Sequence, residues 1–436
     1  MHERFHYKTK EELTGKASEL GSDLPYSDDL SPLFVPVKAG GFKISNRLVV
    51  QPMEGYDSGG DGSPSELTRR RYLRYANGAG GIIWFEAVSV NPEGRSNPRQ
   101  LWLHKMNRDS FSYLNDDIKK TAAAIGSDPL LVVQLTHSGR YSKPYGKPKP
   151  QVAAPNAVLD KIPPFILSDD DLKRIQDQFV ESSRLAYASG FNAVDLKACH
   201  GYLMIDLLAA RGRENSIFGG RETEKRFRFL LETYDRIKYE VPGILVTVRL
   251  NISDLYPGGF GTDENGDADF EESLLLVEQL ASRGIEIINI SMGSPYHNPH
   301  VSRPYDTPVP GASVPAEHPL EGVSRMIRGT AVFQKQFSGI RFVGSAYSYL
   351  RHFGPNVGAA VVRNGDASFI GFGRGSFAYP SMPLDLMNEG KADPSKMCIT
   401  CSGCTRLISN MSPGGCVLRD RLIYANELKK LIADGK

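Results

Sequence analysis

Eight short apolar runs punctuate the chain: Leu48–Gln51, Gly81–Phe85, Leu130–Leu135, Ala193–Leu196, Leu245–Leu250, Ile285–Ile290, Ile340–Val343 and Ser368–Gly371. Between them lie stretches whose apolar residues recur at helical spacing, such as Leu172–Ser189, which stops at Gly190. Runs this brief suit strands buried on both faces, and strands that alternate with amphipathic helices build a parallel sheet. Eight units are the number that closes a (β/α)₈ barrel, so the expected class is α/β, a TIM barrel. The 436 residues agree with this, because such barrels run well past the usual domain size as one unit. The expected division is an N-terminal extension over 1–31, the barrel over 32–390 and a cysteine-rich, cluster-binding C-terminal segment with a helix over 391–436. In the extension, Thr9 and Glu12 have capping-box spacing for a short helix that Gly15 and Gly21 weaken.

The residues that follow each run carry the chemistry. The runs end in Pro52-Met53-Glu54-Gly55, Glu86-Ala87, Gln134 to Arg140, Lys197 to Tyr202, Arg249 to Asn251, Asn289 to His297, Gly344-Ser345 and Gly371 to Arg374. Polar residues and glycines therefore gather at the carboxyl ends, where barrel enzymes hold their sites. Two connections are long: Ser253–Glu271 after the fifth run, and Pro295–Pro319 after the sixth, whose seven prolines make it stiff enough for a lid or wall. Within Ser253–Glu271, the segment Asp263–Asp269 resembles a calcium loop, but its glycine falls at the fourth position, and a polar turn is expected.

Charge narrows the function. Lysine and arginine total 52 against 50 acids, a balance that gives no electrostatic case for nucleic acid or an anionic membrane surface. The first thirty residues have no apolar core of the kind a secretory leader carries, and no run approaches the ~20 residues of a membrane span. A soluble, cytoplasmic protein acting on a small molecule is expected.

Four of the five cysteines crowd together as Cys398-x2-Cys401-x2-Cys404-x11-Cys416. Three thiolates within seven residues can wrap the corners of a compact [4Fe–4S] cubane. Zinc is the competitor, although structural zinc more often uses two separated pairs. Cys199 stands alone and is expected to pack.

Gly344-Ser345 and Gly373-Arg374 follow the last two runs, where barrels commonly bind phosphate through backbone N–H groups. The plain alternative is a pair of ordinary turns with a surface arginine. Lys197 and His200 are three apart just past a strand, close enough to donate to one oxygen, although a lone histidine is more often structural and a lone lysine solvated. Tyr202 can donate a proton nearby.

These pieces, in this order, resemble the Old Yellow Enzyme family of FMN-dependent ene reductases. The resemblance runs over roughly residues 32–425 and rests on Asn46-Arg-Leu-Val-Val-Gln-Pro-Met53, Gln134-Leu-Thr-His-Ser-Gly-Arg140, His200-Gly-Tyr-Leu203, the Gly373-Arg374 turn and the cysteine set. Its iron–sulfur branch, with 2,4-dienoyl-CoA reductase and trimethylamine dehydrogenase, adds a cysteine cluster after the barrel. The resemblance implies FMN held by Pro52, Met53, Glu54, Glu86, Gln134, Arg249, Gly344, Ser345, Gly373 and Arg374, and a [4Fe–4S] cluster on the four cysteines. It also implies hydride transfer to the activated double bond of an enone or enoyl substrate. Lys197 and His200 would hold the carbonyl oxygen, and Tyr202, or Tyr296 with His297, would supply the proton.

The chain departs from the family at three places. Lys197 stands where many members have histidine, Glu54 where threonine or cysteine is common, and only about twenty residues follow Cys416, with no G-x-G-x-x-G to bind a dinucleotide. An external donor such as a ferredoxin, flavodoxin or separate reductase is therefore expected, with NAD(P)H over the flavin as the direct alternative. A homo-oligomer is compatible with the resemblance. The rival functions are a flavin dehydrogenase that oxidises an amine, and a noncatalytic electron-transfer or zinc-binding barrel.

Overall fold

The computed structural model describes residues 3–435. All eight apolar runs are strands: β1 (Leu48–Val50), β2 (Ile82–Ser89), β3 (Leu130–Thr136), β4 (Ala193–Ala198), β5 (Leu245–Asn251), β6 (Ile287–Ser291), β7 (Arg341–Gly344) and β8 (Phe369–Phe372). They pair in sequence order, and β8 returns to β1 with Ile370 opposite Leu48, closing a parallel barrel. Closure leaves no strand edge, so every strand is covered on both sides and its residues are apolar almost throughout.

The helices between them are α1 (Glu66–Ala76), α2 (Arg108–Ala123), α3 (Asp169–Ala188), α4 (Thr223–Glu240), α5 (Glu271–Ser282), α6 (Pro319–Gln336), α7 (Gly354–Arg363) and α8 (Met382–Glu389). The third shows the local logic. Ser168 caps its N-terminus in a reciprocal box with Asp171, and Leu172, Ile175 and Phe179 are buried at helical spacing. Gly190, at φ +84°, then turns the chain back towards β4 in a conformation that favours glycine.

The N-terminal extension folds onto the barrel. Its helix, Lys10–Glu19, is capped by the Thr9 hydroxyl, which accepts from Glu12 N–H, and it buries Leu13 and Ala17. The Glu12 carboxylate accepts from Lys8 N–H. Phe5 sits edge-on to Tyr349, beneath the Arg351 guanidinium, and its N–H donates to Asp306 at 2.7 Å. The arm therefore reaches the long connection after β6.

The C-terminal cysteine segment packs at the mouth of the barrel. Asp420 accepts from Arg70 and Arg74 of α1, and Gly414 N–H donates to Gly55 O at 2.7 Å. Thr400 and Ser402 hydrogen-bond the chain at Asp306 and Thr307. The proline-rich connection is thus held between the arm and the cysteine segment, as a wall. The segment Asp263–Asp269 is a polar turn in which the Asp263 carboxylate accepts from Asn265 and Asp267 N–H. Among the described residues, no helix is long and apolar enough to cross a membrane.

Candidate active site

The carboxyl ends of the strands surround a cavity of about 230 Å³. Pro52, Met53 and Glu54 line it after β1, Gln134 from β3, Lys197, His200 and Tyr202 at the end of β4, Arg249 from β5, Tyr296 after β6, Ser345 after β7, and Gly373 and Arg374 after β8. Twelve of the fifteen residues singled out for catalysis or cofactor binding therefore meet in one place.

Three do not. Glu86 falls at a register shift between β2 and β3, and the shift turns its side chain away from the cavity. There it pairs with Arg71, which also holds Asp57, and accepts from Gly55 N–H at 2.7 Å. Burial and the neighbouring Asp57 carboxylate push the Glu86 carboxyl upward, against the pull of Arg71. Gly344 lies within β7, where an added Cβ would come to 2.8 Å of the Tyr347 hydroxyl, so its role is to make room for that ring. His297 follows Tyr296 directly, and the two side chains diverge: His297 packs edge-on to Tyr256 at 5.2 Å, outside the cavity. Tyr296 alone of that pair faces in.

At the end of β4 the backbone makes a tight turn. His200 and Gly201 both have positive φ, +62° and +73°, which costs strain at the histidine and brings Lys197, His200 and Tyr202 to one side. The Lys197 ammonium lies 3.2 Å from Glu54 Oε1 and 3.7 Å from the centre of the Tyr202 ring. The Tyr202 hydroxyl donates to the same Glu54 oxygen at 3.0 Å and lies 3.2 Å from the Tyr296 hydroxyl. Burial, then the Glu54 charge, holds the Tyr202 phenol well above its ordinary range, so it stays protonated. His200 Nε2 shares a 2.8 Å hydrogen bond with Ser291 Oγ. Burial and the nearby Arg249 and Lys197 charges keep that imidazole neutral.

The adjoining wall, from β5 round to β8, carries cations that no carboxylate of the described residues pairs directly. Arg249 is 8% exposed and, among the described residues, has no ion pair, and its Nε finds no hydrogen-bond partner. Arg374 spends Nη2 on Pro304 O at 2.6 Å and leaves Nη1 buried and unpartnered. Arg303, from the proline-rich connection, donates to Thr405 Oγ1 at 2.9 Å. Burial and Arg374 lower the Arg303 guanidinium to about 10. Burying such cations without an anion is costly, so the arrangement is built to receive one. Gly371 and Gly373 leave room for two lining side chains: a Cβ on Gly371 would collide with the Gln51 amide, and one on Gly373 would meet Met53 Sδ at 3.0 Å. Gln134 donates its amide N–H to Asp195 at 2.7 Å, which leaves its carbonyl oxygen as the free acceptor.

Sequence reasoning did not select Gln51, Ala346, Ser348 or Arg303, nor Thr405, Ile408 and Ser409 from the helix Gly403–Ser409 that carries Cys404. Seven prolines hid Arg303 inside what read as a generic wall. Cys398, Cys401, Cys404 and Cys416 line a smaller pocket next door, and Arg374 lines both. Cys199 is buried beneath the main site, as a packed thiol. Among the described residues, no three His, Cys, Asp or Glu side chains come close enough to clasp a single ion.

The sequence profile of the NADH:flavin oxidoreductase / NADH oxidase family matches residues 32–391. The chain belongs to that family. It is 27% identical over 270 residues to the NADPH dehydrogenase of Bacillus subtilis (strain 168), covering 61% of this chain and 74% of that one. The fold is that of 2-naphthoyl-CoA reductase, with a TM-score of 0.73 at 20% identity over 92% of this chain and 58% of that one. It is also that of histamine dehydrogenase from Rhizobium sp. 4-9, with a TM-score of 0.67 at 21% identity over 89% of this chain and 52% of that one. The chain thus spans little more than half the length of these two solved structures. As a member of the NADH:flavin oxidoreductase family, it is an FMN-dependent oxidoreductase.

The residues of the cavity fit FMN. Arg374, with Arg303, Ser345 and Ser348 beside it, suits a phosphate. Arg249 suits the negative charge that gathers on the ring when the flavin is reduced, and the free Gln134 oxygen suits a ring N–H.

Proposed function

We propose that this oxidoreductase reduces the electron-poor carbon–carbon double bond of an α,β-unsaturated carbonyl compound, with a [4Fe–4S] cluster on Cys398, Cys401, Cys404 and Cys416 feeding electrons in. The observation that carries it is the convergence of Lys197, His200 and Tyr202 on one cavity wall, beside Arg249, whose buried Nε finds no hydrogen-bond partner. FMN, when bound, supplies the hydride that goes to the β-carbon. Lys197 and His200 donate to the carbonyl oxygen, where negative charge builds as the double bond is attacked. Tyr202 holds its proton at neutral pH and donates it to the α-carbon. His200 is neutral, so it serves as a hydrogen-bond donor and not as a second cation. The wall formed by Pro295, Tyr296, Ser302 and Arg303 limits water at the reacting atoms.

Four thiols in one pocket, with none in a disulfide, suit a cluster that accepts single electrons. Arg374 lies between that pocket and the cavity, and its charge favours an anionic group on either side. The electron source is then NADH or NADPH directly, or a one-electron partner that delivers through the cysteines. Oxidation of an amine fits less well, because the Lys197 ammonium already covers the Tyr202 ring and would repel a cationic substrate.

Cofactor analysis of anaerobically purified protein tests this. Flavin with about four iron and four sulfide per chain supports the reading. Zinc without iron removes the cluster, and a protein that does not retain FMN removes the reaction.

A further inference from the structure

We infer that Tyr296 and Glu54 form the proton supply of Tyr202, with Tyr296 as its outlet to solvent. The inference rests on the reading above, in which Tyr202 is the acid. Tyr202 is only 2% exposed, so water does not replace its proton directly. Its hydroxyl meets two groups, Glu54 Oε1 at 3.0 Å and the Tyr296 hydroxyl at 3.2 Å. Tyr296 lines the open cavity and is 40% exposed as a whole residue, although burial raises its phenol too, and its ring is stacked on Tyr141 at 3.7 Å and 14°, which fixes where the hydroxyl points. Tyr56 is also close, but it is buried and its hydroxyl is engaged with Ser96 Oγ at 2.8 Å.

The steps balance. The Tyr202 O–H bond breaks as a C–H bond forms at the α-carbon, leaving a phenolate. That phenolate faces the Glu54 carboxylate, and the Lys197 ammonium, 3.2 Å from Glu54, must serve both anions. The repulsion makes the phenolate a strong base. Tyr296 passes its proton to the Tyr202 oxygen, and a solvent acid restores the proton on Tyr296. One solvent proton enters the product and both tyrosines return unchanged. Glu54 is a positioning residue: it aims the Tyr202 hydroxyl and makes the return of the proton favourable.

The test uses FMN-loaded protein and cyclohexenone, in single-turnover and steady-state experiments. Tyr296→Phe keeps the stacked ring and removes the relay oxygen. It should lower the steady-state rate about tenfold, slow the first turnover less, and recover as imidazolium buffer is added. Glu54→Gln keeps the acceptor and drops the charge, so the alkaline limb of the turnover profile should move to lower pH. A buffer-insensitive loss that is equal in both phases would assign Tyr296 a structural or direct acid role and overturn the inference, as would an unchanged steady-state rate. If the reduced wild-type protein saturates no double bond at all, the reading of the reaction fails first and takes the path with it.

Discussion

Lys197 and Arg249 are paired residues on neighbouring strands of one barrel, yet among the described residues only the lysine makes an ion pair, while Arg249 feels the Asp195 charge at longer range. Glu54, from the loop after β1, lies 3.2 Å from the ammonium. Among the described residues Arg249 has no such partner, and the same holds for Arg374 and Arg303 further along the wall. The difference separates two duties. A compensated cation can stay buried beside a neutral substrate and donate a hydrogen bond to its oxygen, whereas uncompensated cations are stable only when an anion is brought to them. On the proposed function, the β4 side takes an uncharged carbonyl and the β5, β7 and β8 side an anionic cofactor.

The largest effect expected from breaking this division is at the compensated end. Lys197→Met should lower turnover on the order of 10²-fold, while FMN content and reduction by NADPH hold. Lys197→Arg should retain part of the activity, because a guanidinium can still donate to the oxygen. Equal loss of FMN and turnover in Lys197→Met would mean that the two sides are one.

At the uncompensated end the response should appear in binding. Arg374→Ala should weaken FMN roughly tenfold to a hundredfold, from the ~1.5–3 kcal/mol of a charge-assisted hydrogen bond, and leave riboflavin binding nearly unchanged. Arg249→Ala should instead lower the potential of the bound flavin, because it removes the charge that favours the reduced ring. Redox titration and a fluorescence titration separate the two; matched potential shifts would contradict the placement of phosphate and ring.

The smallest effect concerns the floor between the two sides. Burial holds the Asp195 carboxyl up at about 6, with Gln134 and Thr247 donating to it. The folded protein therefore binds this proton more tightly than the unfolded chain, and the contribution falls as pH rises from about 4 towards 6. Asp195→Asn should flatten that part of the stability profile, measured by urea unfolding of the apoprotein. An unchanged slope would place the titration elsewhere.

The barrel was legible because each strand is buried on both faces and leaves a short apolar run, and Leu48–Gln51 through Ser368–Gly371 are all strands. Most of the cavity lining followed, since the carboxyl end of a barrel strand fixes where its next residues point: Lys197, His200 and Tyr202 all line it. Glu86 was misplaced because a register shift, which no periodicity announces, rotates one residue out of the inward row. His297 was misplaced because adjacent residues in a tight connection point apart, and the side each takes depends on packing against Tyr256 and Tyr141. The part played by Arg303 depends on a distant contact with Thr405, 102 positions along the chain, which local sequence does not encode.

The reduction of a carbon–carbon double bond is tested most directly by mixing prereduced, FMN-loaded protein with a panel of enones and enoyl thioesters under anaerobic conditions. Flavin reoxidation and product are followed together. Reoxidation with one saturated product molecule per flavin for at least one member of the panel is the predicted result. Flavin that stays reduced with every member, while an amine reduces the oxidised protein, would contradict it.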